Sequence, residues 1–286
     1  MPTVSGRGVS DGSRKGIWPS AARMLRQRVL SALILIPLIF VVVWFGGPAY
    51  SLLVAATAAA AALEFYGMMG LSRRHPLTLF GLICVLLFIL VSHFEGDYTA
   101  PLLTFVAVFS LIWLLFRSSV KDAAVNWAWS LAGIIYIGWM LSHLIPLRGL
   151  EAGRDWVLFT IFATFAADTA AFFIGRAWGR HPLAPAISPK KTWEGAIGGF
   201  AGAIASAFIL AALLPGIPVY WHIVVLGVLI GVFAQLGDLS ESMLKRSVGV
   251  KDSGSLIPGH GGLLDRLDSL LFTVVVVYYS VLWLVV

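Results

Sequence analysis

The sequence has few charged residues and almost no cysteine. Only 12% of its 286 residues are Asp, Glu, Lys or Arg, whereas 59% are hydrophobic, and the mean hydropathy is +0.91. A water-soluble domain cannot bury so large an apolar share, so the composition predicts one integral membrane domain. Cys84, which lies in an apolar run, is the single cysteine of the sequence. An intramolecular disulfide and a cysteine-cluster metal site are therefore excluded.

Several functional motifs are also missing. The sequence has no P-loop pattern, no paired-cysteine motif and no His-Glu-x-x-His motif. It has no internal repeat of the kind found in many transporters. The net charge of +6 would suggest nucleic-acid binding in a soluble protein, but orientation in a membrane explains it more simply, so no nucleic-acid partner is predicted.

Apolar stretches of roughly 20 residues recur along the chain and predict an all-α, polytopic integral membrane protein with about nine transmembrane helices. Residues 1–22, rich in Gly, Ser and Arg, predict a disordered cytoplasmic tail. Residues 23–286 are interpreted as a single membrane domain, with a first set of helices over 23–150 and catalytic helices over 151–286 that include a cytoplasmic loop over 238–268. The predicted spans are 29–45, 49–70, 77–93, 98–116, 125–147, 156–175, 194–214, 218–237 and 267–286.

The basic residues are distributed unequally between the two sides of these spans. With the N-terminus in the cytoplasm, all 20 basic residues except Arg148 and Arg154 fall on the cytoplasmic side. Because cytoplasmic loops carry an excess of Lys and Arg, this distribution predicts an N-in, C-out orientation.

Three carboxylates lie where lipid or packed helices are expected. A charged side chain at the bilayer centre costs about 2.5–3.5 kcal/mol, so intramembrane carboxylates are candidate functional groups. Glu64, Asp168 and Asp238 lie in, or at the end of, predicted spans, each in the cytoplasmic half. The alternative for Asp168 is a helix-packing role, because small residues surround it on its helix. No role is assigned to Glu64.

Two lysines precede the seventh span. Ser188 as N-cap and Pro189 as the first helical residue predict a helix start there. Lys190 and Lys191 then fall in the first turn, where the helix dipole disfavours cations unless an anion is bound. This pattern favours a phosphate-binding site. The alternative is that both lysines only flank the span and reach lipid phosphates.

A polar run near the end of the chain carries most of the remaining chemistry. Asp265 and Asp268, three residues apart at the start of the ninth span, are predicted to share one helical face. Asp238 and Glu241 have the same spacing at the end of the eighth span. Hard carboxylate oxygens at two helix ends suit Mg²⁺ that holds substrate phosphates, and zinc is not expected.

Glycines and cations lie between these helix ends. Gly261 and Gly262 would let backbone N–H groups approach a phosphate closely. His260 is interpreted either as a phosphate-orienting or acid group or as a cap of the turn before the last helix. Positive charge for a polyphosphate is offered by Lys245, Arg246, Lys251 and Arg266. The combination predicts a metal-phosphate site, and the alternative is a solvated cytoplasmic loop.

Three segments of this run match a known pattern: S-M-L-K-R at 242–246, K-D-S-G at 251–254 and P-G-H-G-G-L-L-D-R-L-D at 258–268. They resemble the signature of the phosphatidate cytidylyltransferases, also called CDP-diacylglycerol synthases. The segment S-P-K-K-T-W-E-G at 188–195 and the helix that carries Asp168 are also similar to that family. The first 150 residues match only in general character, as variable membrane helices.

The resemblance implies the reaction CTP + phosphatidate → CDP-diacylglycerol + pyrophosphate, in phospholipid biosynthesis. It also implies Mg²⁺, with K⁺ as a second cation in some members, and a homodimer in the cell (inner) membrane whose site faces the cytoplasm. The expected metal ligands are Asp168, Asp238, Asp265 and Asp268. The expected catalytic residues are Asp238, Lys245, His260, Asp265, Arg266 and Asp268. The expected substrate contacts are Asp168, Ser188, Lys190, Lys191, Arg246, Lys251, Gly261 and Gly262.

Two other functions compete with this interpretation. A CTP-dependent polyprenol or phytol kinase shares the lipid phosphate and the nucleotide but forms a phosphorylated alcohol. A cation-coupled transporter could use Glu64, Asp168 and Asp238 along a path, but the polar groups cluster on one side of the predicted spans.

Overall fold

Helices make up most of the described chain. The structure, a computed structural model, describes residues 33, 36–94, 98–117, 123–254, 256 and 261–285. The predicted tail over residues 1–22 and the candidate residue His260 lie outside these ranges. The helices are α1 Ile36–Phe45, α2 Gly47–Met68, α3 Pro76–Val91, α4 Thr99–Arg117, α5 Ala123–Gly133, α6 Met140–Ser142, α7 Leu144–Gly149, α8 Gly153–Trp178, α9 Trp193–Leu213, α10 Trp221–Ser247 and α11 Asp268–Leu284.

The described helices have the length and apolarity of a membrane protein. Six helical segments among the described residues are long and apolar enough to cross a membrane, if α5 to α7 and the π-helical turn Ile134–Trp139 are taken as one segment. Three more, α1, α3 and α11, are shorter apolar helices. The prediction of an all-α membrane protein is confirmed at this level, and each predicted span overlaps one of these helical segments.

Small residues allow helices α8 to α11 to pack closely. A Cβ added at Gly199 of α9 would lie 2.9 Å from the Cβ of Ala171 on α8. One added at Gly227 of α10 would lie 2.8 Å from the Cα of Ile204 on α9, and Gly237 of α10 lies directly against the start of α11. Because helices in lipid associate by close packing, these contacts hold the four helices as one unit. The unit places the start of α11 against Gly237, in the second half of α10.

The eighth predicted span is longer than expected. Helix α10 continues to Ser247, ten residues beyond the predicted end at residue 237. Asp238, Lys245 and Arg246 are therefore helical residues and do not lie in a loop. The apolar pattern ends at the first charged residue, whereas the helix continues because Glu241 and Lys245, one turn apart on α10, form an ion pair.

The predicted start of the seventh helix is wrong. Ser188–Thr192 forms strand β2, which pairs antiparallel with strand β1, Pro182–Ala184, so the fold contains one small hairpin beside its helices. Helix α9 begins at Trp193, and the Thr192 side chain caps it by accepting a hydrogen bond from Gly195 N at 3.2 Å. The conflict between two lysines and a helix dipole therefore does not exist here.

Candidate active site

A cavity of about 480 Å³ lies between α8, the hairpin, α9 and α10. Its lining combines apolar and small residues with charged side chains of both signs and one amide. The charged and amide residues are Asp168, Arg176, Lys190, Lys191, Gln235 and Asp238. The structure thus brings together four residues that the sequence predicted for the site. Arg176 and Gln235 were not predicted.

An ion pair closes one side of this cavity. Lys191 Nζ of β2 lies 2.7 Å from Asp238 Oδ2 of α10, and both side chains are partly exposed. Ser242 Oγ, one turn along α10, donates to Asp238 Oδ1 at 3.5 Å. Although both side chains are partly exposed, the Lys191 Nζ atom itself is buried, so this is not a fully solvated surface ion pair. Asp238 therefore supplies the charge that neutralises a buried ammonium group.

Three carboxylates from different helices converge beside the cavity. Asp168 of α8 accepts a hydrogen bond from Ser269 Oγ at 3.2 Å, and Asp268 of α11 accepts one from Ser269 N at 2.8 Å. Asp168, Asp238 and Asp268 lie within electrostatic range of one another. We call these three residues the carboxylate cluster. Like charges held this close repel unless a proton or a cation joins them.

The carboxylate cluster fits Mg²⁺ by its donor chemistry. Mg²⁺ takes hard oxygen ligands and usually keeps several waters, with only one or two protein carboxylates and substrate phosphates completing its shell. Within the described part of the chain, no group of three or more His, Cys, Asp or Glu side chains is close enough together to hold a metal ion by itself. A cation at these carboxylates would need waters and substrate phosphates to complete its coordination.

Asp265 does not pair with Asp268 on a common helical face, as the sequence predicted. It lies in a separate 3₁₀ turn, Leu264–Arg266, that ends before α11 begins. Its carboxylate binds Lys245 Nζ at 2.6 Å and accepts from the backbone N–H groups of Ser253 and Gly262, each at 3.1 Å. Burial alone would raise the pKa of Asp265, but the hydrogen bond and charge of Lys245 outweigh it, and the pKa lies below its usual value.

Lys245 is enclosed by carboxylates of its own chain. It is only 8% exposed, and besides Asp265 it binds Glu241, which is fully buried. Glu241 and Lys245 both belong to α10, so the bond from Lys245 to Asp265 is the one that holds α10 to the segment before α11. In this arrangement Lys245 stabilises the position of the segment before α11 relative to α10.

Glu64 anchors the signature segment to α2. Its Oε2 accepts from Leu264 N at 2.9 Å and from Ser253 Oγ at 3.3 Å. A Cβ at Gly262 would lie 2.8 Å from this oxygen and would collide with Ser253 Oγ, and one at Gly254 would lie 2.5 Å from Glu64 Oε1. Two glycines of the signature therefore make room for Glu64. From the sequence, Glu64 is recognisable only as a carboxylate within a predicted span.

Replacing Gly262 by Ala is expected to lower both the thermal midpoint and the turnover of the protein. The added methyl group collides with Ser253 and Glu64, and overpacking of this kind costs about 1–3 kcal/mol. The measurement is thermal unfolding in detergent, followed by a turnover assay. Gly67→Ala is the matched control, because nothing lies within 4 Å of its added Cβ. Equal thermal midpoints for the two variants would contradict the Glu64 anchor.

The remaining predicted residues have varied surroundings. Arg246 is exposed and donates to Val250 O at 2.8 Å and to Ile187 O at 3.3 Å, which ties the end of α10 to the hairpin. Lys251 is exposed, and Arg266 is an exposed residue of the 3₁₀ turn. Gly261 has a φ of 85°, a left-handed conformation that favours glycine. Ser188 opens β2.

Gln235 was missed because it lies inside a predicted apolar span. Its amide nitrogen donates to Ala196 O of α9 at 2.9 Å and to Gly231 O of its own helix at 2.8 Å. The amide therefore braces α9 against α10 at the cavity wall. An isolated polar amide in an otherwise apolar run was the only signal the sequence offered.

The family model described as the cytidylyltransferase family matches residues 26–284 of this chain. The chain belongs to the cytidylyltransferase family. Three curated relatives named phosphatidate cytidylyltransferase illustrate the similarity. The chain is 34% identical over 258 residues to that of Brucella suis biovar 1 (89% of this chain, 92% of the relative), 34% over 264 residues to that of Bacillus subtilis (89% and 97%), and 35% over 290 residues to that of Synechocystis sp. (91% and 98%).

These matches confirm the family resemblance and extend it. The sequence pattern placed the similarity mainly in the C-terminal half of the chain. The family match also includes α2, so Glu64 and the signature segment it anchors lie within the same matched region.

Proposed function

We propose that this protein is a phosphatidate cytidylyltransferase, which converts CTP and phosphatidate into CDP-diacylglycerol and pyrophosphate in phospholipid biosynthesis. The observation that carries the proposal is the 34–35% identity to proteins of that name over 89–91% of the chain. The cavity supports it, because its cations suit phosphate groups and its walls belong to helices of a membrane protein. The kinase and transporter alternatives have no comparable support.

The reaction joins two phosphates of like charge. An oxygen of the phosphatidate phosphate attacks the α-phosphorus of CTP, the new P–O bond forms, the bond to the β-phosphate oxygen breaks, and pyrophosphate leaves. Such transfers depend mainly on positioning and charge neutralisation. We assign Lys190 and Lys191 of β2 to the lipid phosphate and Arg176 of α8, which also lines the cavity, to a second phosphate. When the lipid phosphate engages Lys191, Asp238 is released from its ion pair.

Asp168, Asp238 and Asp268 are the residues we assign to holding Mg²⁺. When bound, the metal supplies positive charge that neutralises phosphate oxygens and polarises the reacting phosphorus. Asp265 is assigned to positioning, because its carboxylate is engaged by Lys245, Ser253 and Gly262. A role for K⁺ and a homodimer stay predictions.

The proposed topology has nine spans, with the N-terminus inside and the C-terminus outside. The overlap of each predicted span with a helical segment supports the number, although α1, α3 and α11 are short. The distribution of Lys and Arg supports the orientation, with the cavity facing the cytoplasm at the cell (inner) membrane.

The decisive experiment incubates detergent-purified protein with labelled CTP, phosphatidate and Mg²⁺. Formation of a CDP-lipid and pyrophosphate is the expected result. A phosphorylated polyprenol or phytol formed instead, when the alcohol is supplied, would identify a kinase. Cation-dependent uptake in vesicles without any nucleotide chemistry would identify a transporter.

Replacing Lys190 by Ala is expected to raise the apparent KM for phosphatidate about tenfold or more with a smaller change in kcat, because a charge-assisted hydrogen bond contributes about 1.5–3 kcal/mol. The measurement is a steady-state titration of phosphatidate in mixed micelles. Arg180→Ala is the control, since Arg180 is an exposed basic residue just before the hairpin and is not among the cavity-lining residues. An effect confined to the KM for CTP would reassign Lys190 to the nucleotide.

A further inference from the structure

Tyr136 carries a buried hydroxyl group without a partner. The residue is 8% exposed, and its hydroxyl oxygen makes no hydrogen bond to any residue that the structure describes. The buried hydroxyls of two other tyrosines are satisfied: Tyr50 donates to Leu144 O at 2.9 Å and Tyr66 to Ser130 O at 3.1 Å. An unpaired buried O–H group is destabilising. We therefore expect the Tyr136 hydroxyl to find a hydrogen-bond acceptor in another state of the protein.

The backbone around Tyr136 is also unusual. The residue lies in the π-helical turn Ile134–Trp139, which interrupts the helical segment between α5 and α6. Such turns are rare and occur frequently at functional sites, where the extra residue redirects side chains. The Tyr136 ring packs between Phe65 of α2 and Phe272 of α11, with ring centroids 6.3 Å away in each case. These contacts hold the ring between α2 and α11.

The Tyr136 side chain lies on the side of α11 that carries Asp268. Phe272 lies four residues after Asp268, about one helical turn, so both residues belong to the same face of α11. The Tyr136 hydroxyl lies within electrostatic range of Asp268 first, and then of Glu241 and Asp238. A hydroxyl donor with no partner among the described residues is therefore in the same region as carboxylate acceptors that repel one another.

We propose that Tyr136 is a positioning residue of the carboxylate cluster, and that its hydroxyl donates a hydrogen bond to the Asp268 carboxylate when a divalent cation occupies the cluster. The inference rests on the proposed function, which assigns a cation to these carboxylates. Carboxylates that bind metals are themselves oriented by hydrogen bonds, and loss of such a partner weakens metal affinity or activity about 10- to 100-fold.

Tyr136→Phe tests the proposal because it removes only the hydroxyl oxygen. The probe is Mn²⁺ alone, titrated into detergent-purified protein and followed by electron paramagnetic resonance. We expect the variant to bind Mn²⁺ about 10- to 100-fold more weakly than the unmodified protein. Its thermal midpoint without added cation is expected to be unchanged or higher, since an unpaired hydroxyl is removed.

Tyr50→Phe is the matched control. It removes an equally buried hydroxyl that is already hydrogen-bonded to Leu144 O, so it should lower the thermal midpoint and leave Mn²⁺ affinity unchanged. Unchanged Mn²⁺ affinity in Tyr136→Phe would overturn the proposal, whether or not the thermal midpoint of the variant falls.

One further variant separates this inference from the proposed function. Mn²⁺ binding that Asp268→Asn does not weaken would overturn the cation assignment and the role of Tyr136 together. Mn²⁺ binding that both Asp268→Asn and Tyr136→Phe weaken, in a protein that forms no CDP-lipid, would support the positioning role while rejecting the proposed reaction.

Discussion

Asp268→Asn is expected to reduce CDP-diacylglycerol formation by at least about 100-fold, because it removes one charge from the carboxylate cluster assigned to Mg²⁺. The amide oxygen can still accept the hydrogen bond that Ser269 N now donates to Asp268 Oδ1 at 2.8 Å. The start of α11 should therefore stay intact. Turnover is measured with labelled CTP, and added Mg²⁺ is not expected to restore it fully.

Stability provides a second readout for this variant. Asp268 lies within electrostatic range of Asp238, Glu241 and Asp168, so removing its charge relieves repulsion. The thermal midpoint without added cation should be unchanged or higher while activity falls. Asp252→Asn, an exposed change in the segment before α11, should alter neither quantity. Near-normal turnover of Asp268→Asn would reject the cluster as the metal site.

The spans could be predicted because hydropathy and length are local properties of the sequence. Their ends could not be predicted equally well. Helix α10 runs on to Ser247 because Lys245 and Glu241 neutralise each other there, and a hydropathy pattern does not contain that pairing. The start of α9 was misplaced because Ser188 and Pro189 satisfy the local rules for a helix start, whereas pairing with Pro182–Ala184 makes that segment a strand.

The site was predictable where its chemistry is unusual for a membrane helix. Asp168 and Asp238 were recognised as charges in an apolar chain, and the structure places both at one cavity with Lys190 and Lys191. The direction of a side chain is a tertiary property, so Asp265 was grouped with Asp268 although it faces Lys245. The unpaired hydroxyl of Tyr136 has no signal in the sequence.

Lys245→Met is expected to lower the free energy of unfolding by about 3–5 kcal/mol, because it leaves two buried carboxylates without their cation. Glu241 is fully buried and Asp265 partly so, and both bind Lys245 in the folded protein. The change is measured as the shift in the unfolding midpoint in detergent. Turnover should fall with it, since the segment before α11 is held by this lysine. Arg246→Met, one residue along but exposed, should have a much smaller effect.

The pH dependence of this loss has a definite sign. Lys245 holds the pKa of Asp265 below its ordinary value of 3.8, so the Asp265 contribution is present above that value and is lost as pH falls through the folded-state pKa. Removing Lys245 raises the pKa of Asp265 in the folded state. The stability difference between the unmodified protein and Lys245→Met should therefore narrow at acidic pH.

The double variant Glu241→Gln/Lys245→Met should recover part of the loss of stability, because one buried unpaired charge is then removed. A double variant no more stable than Lys245→Met would show that lost packing of the lysine stem, not unpaired charge, causes the destabilisation.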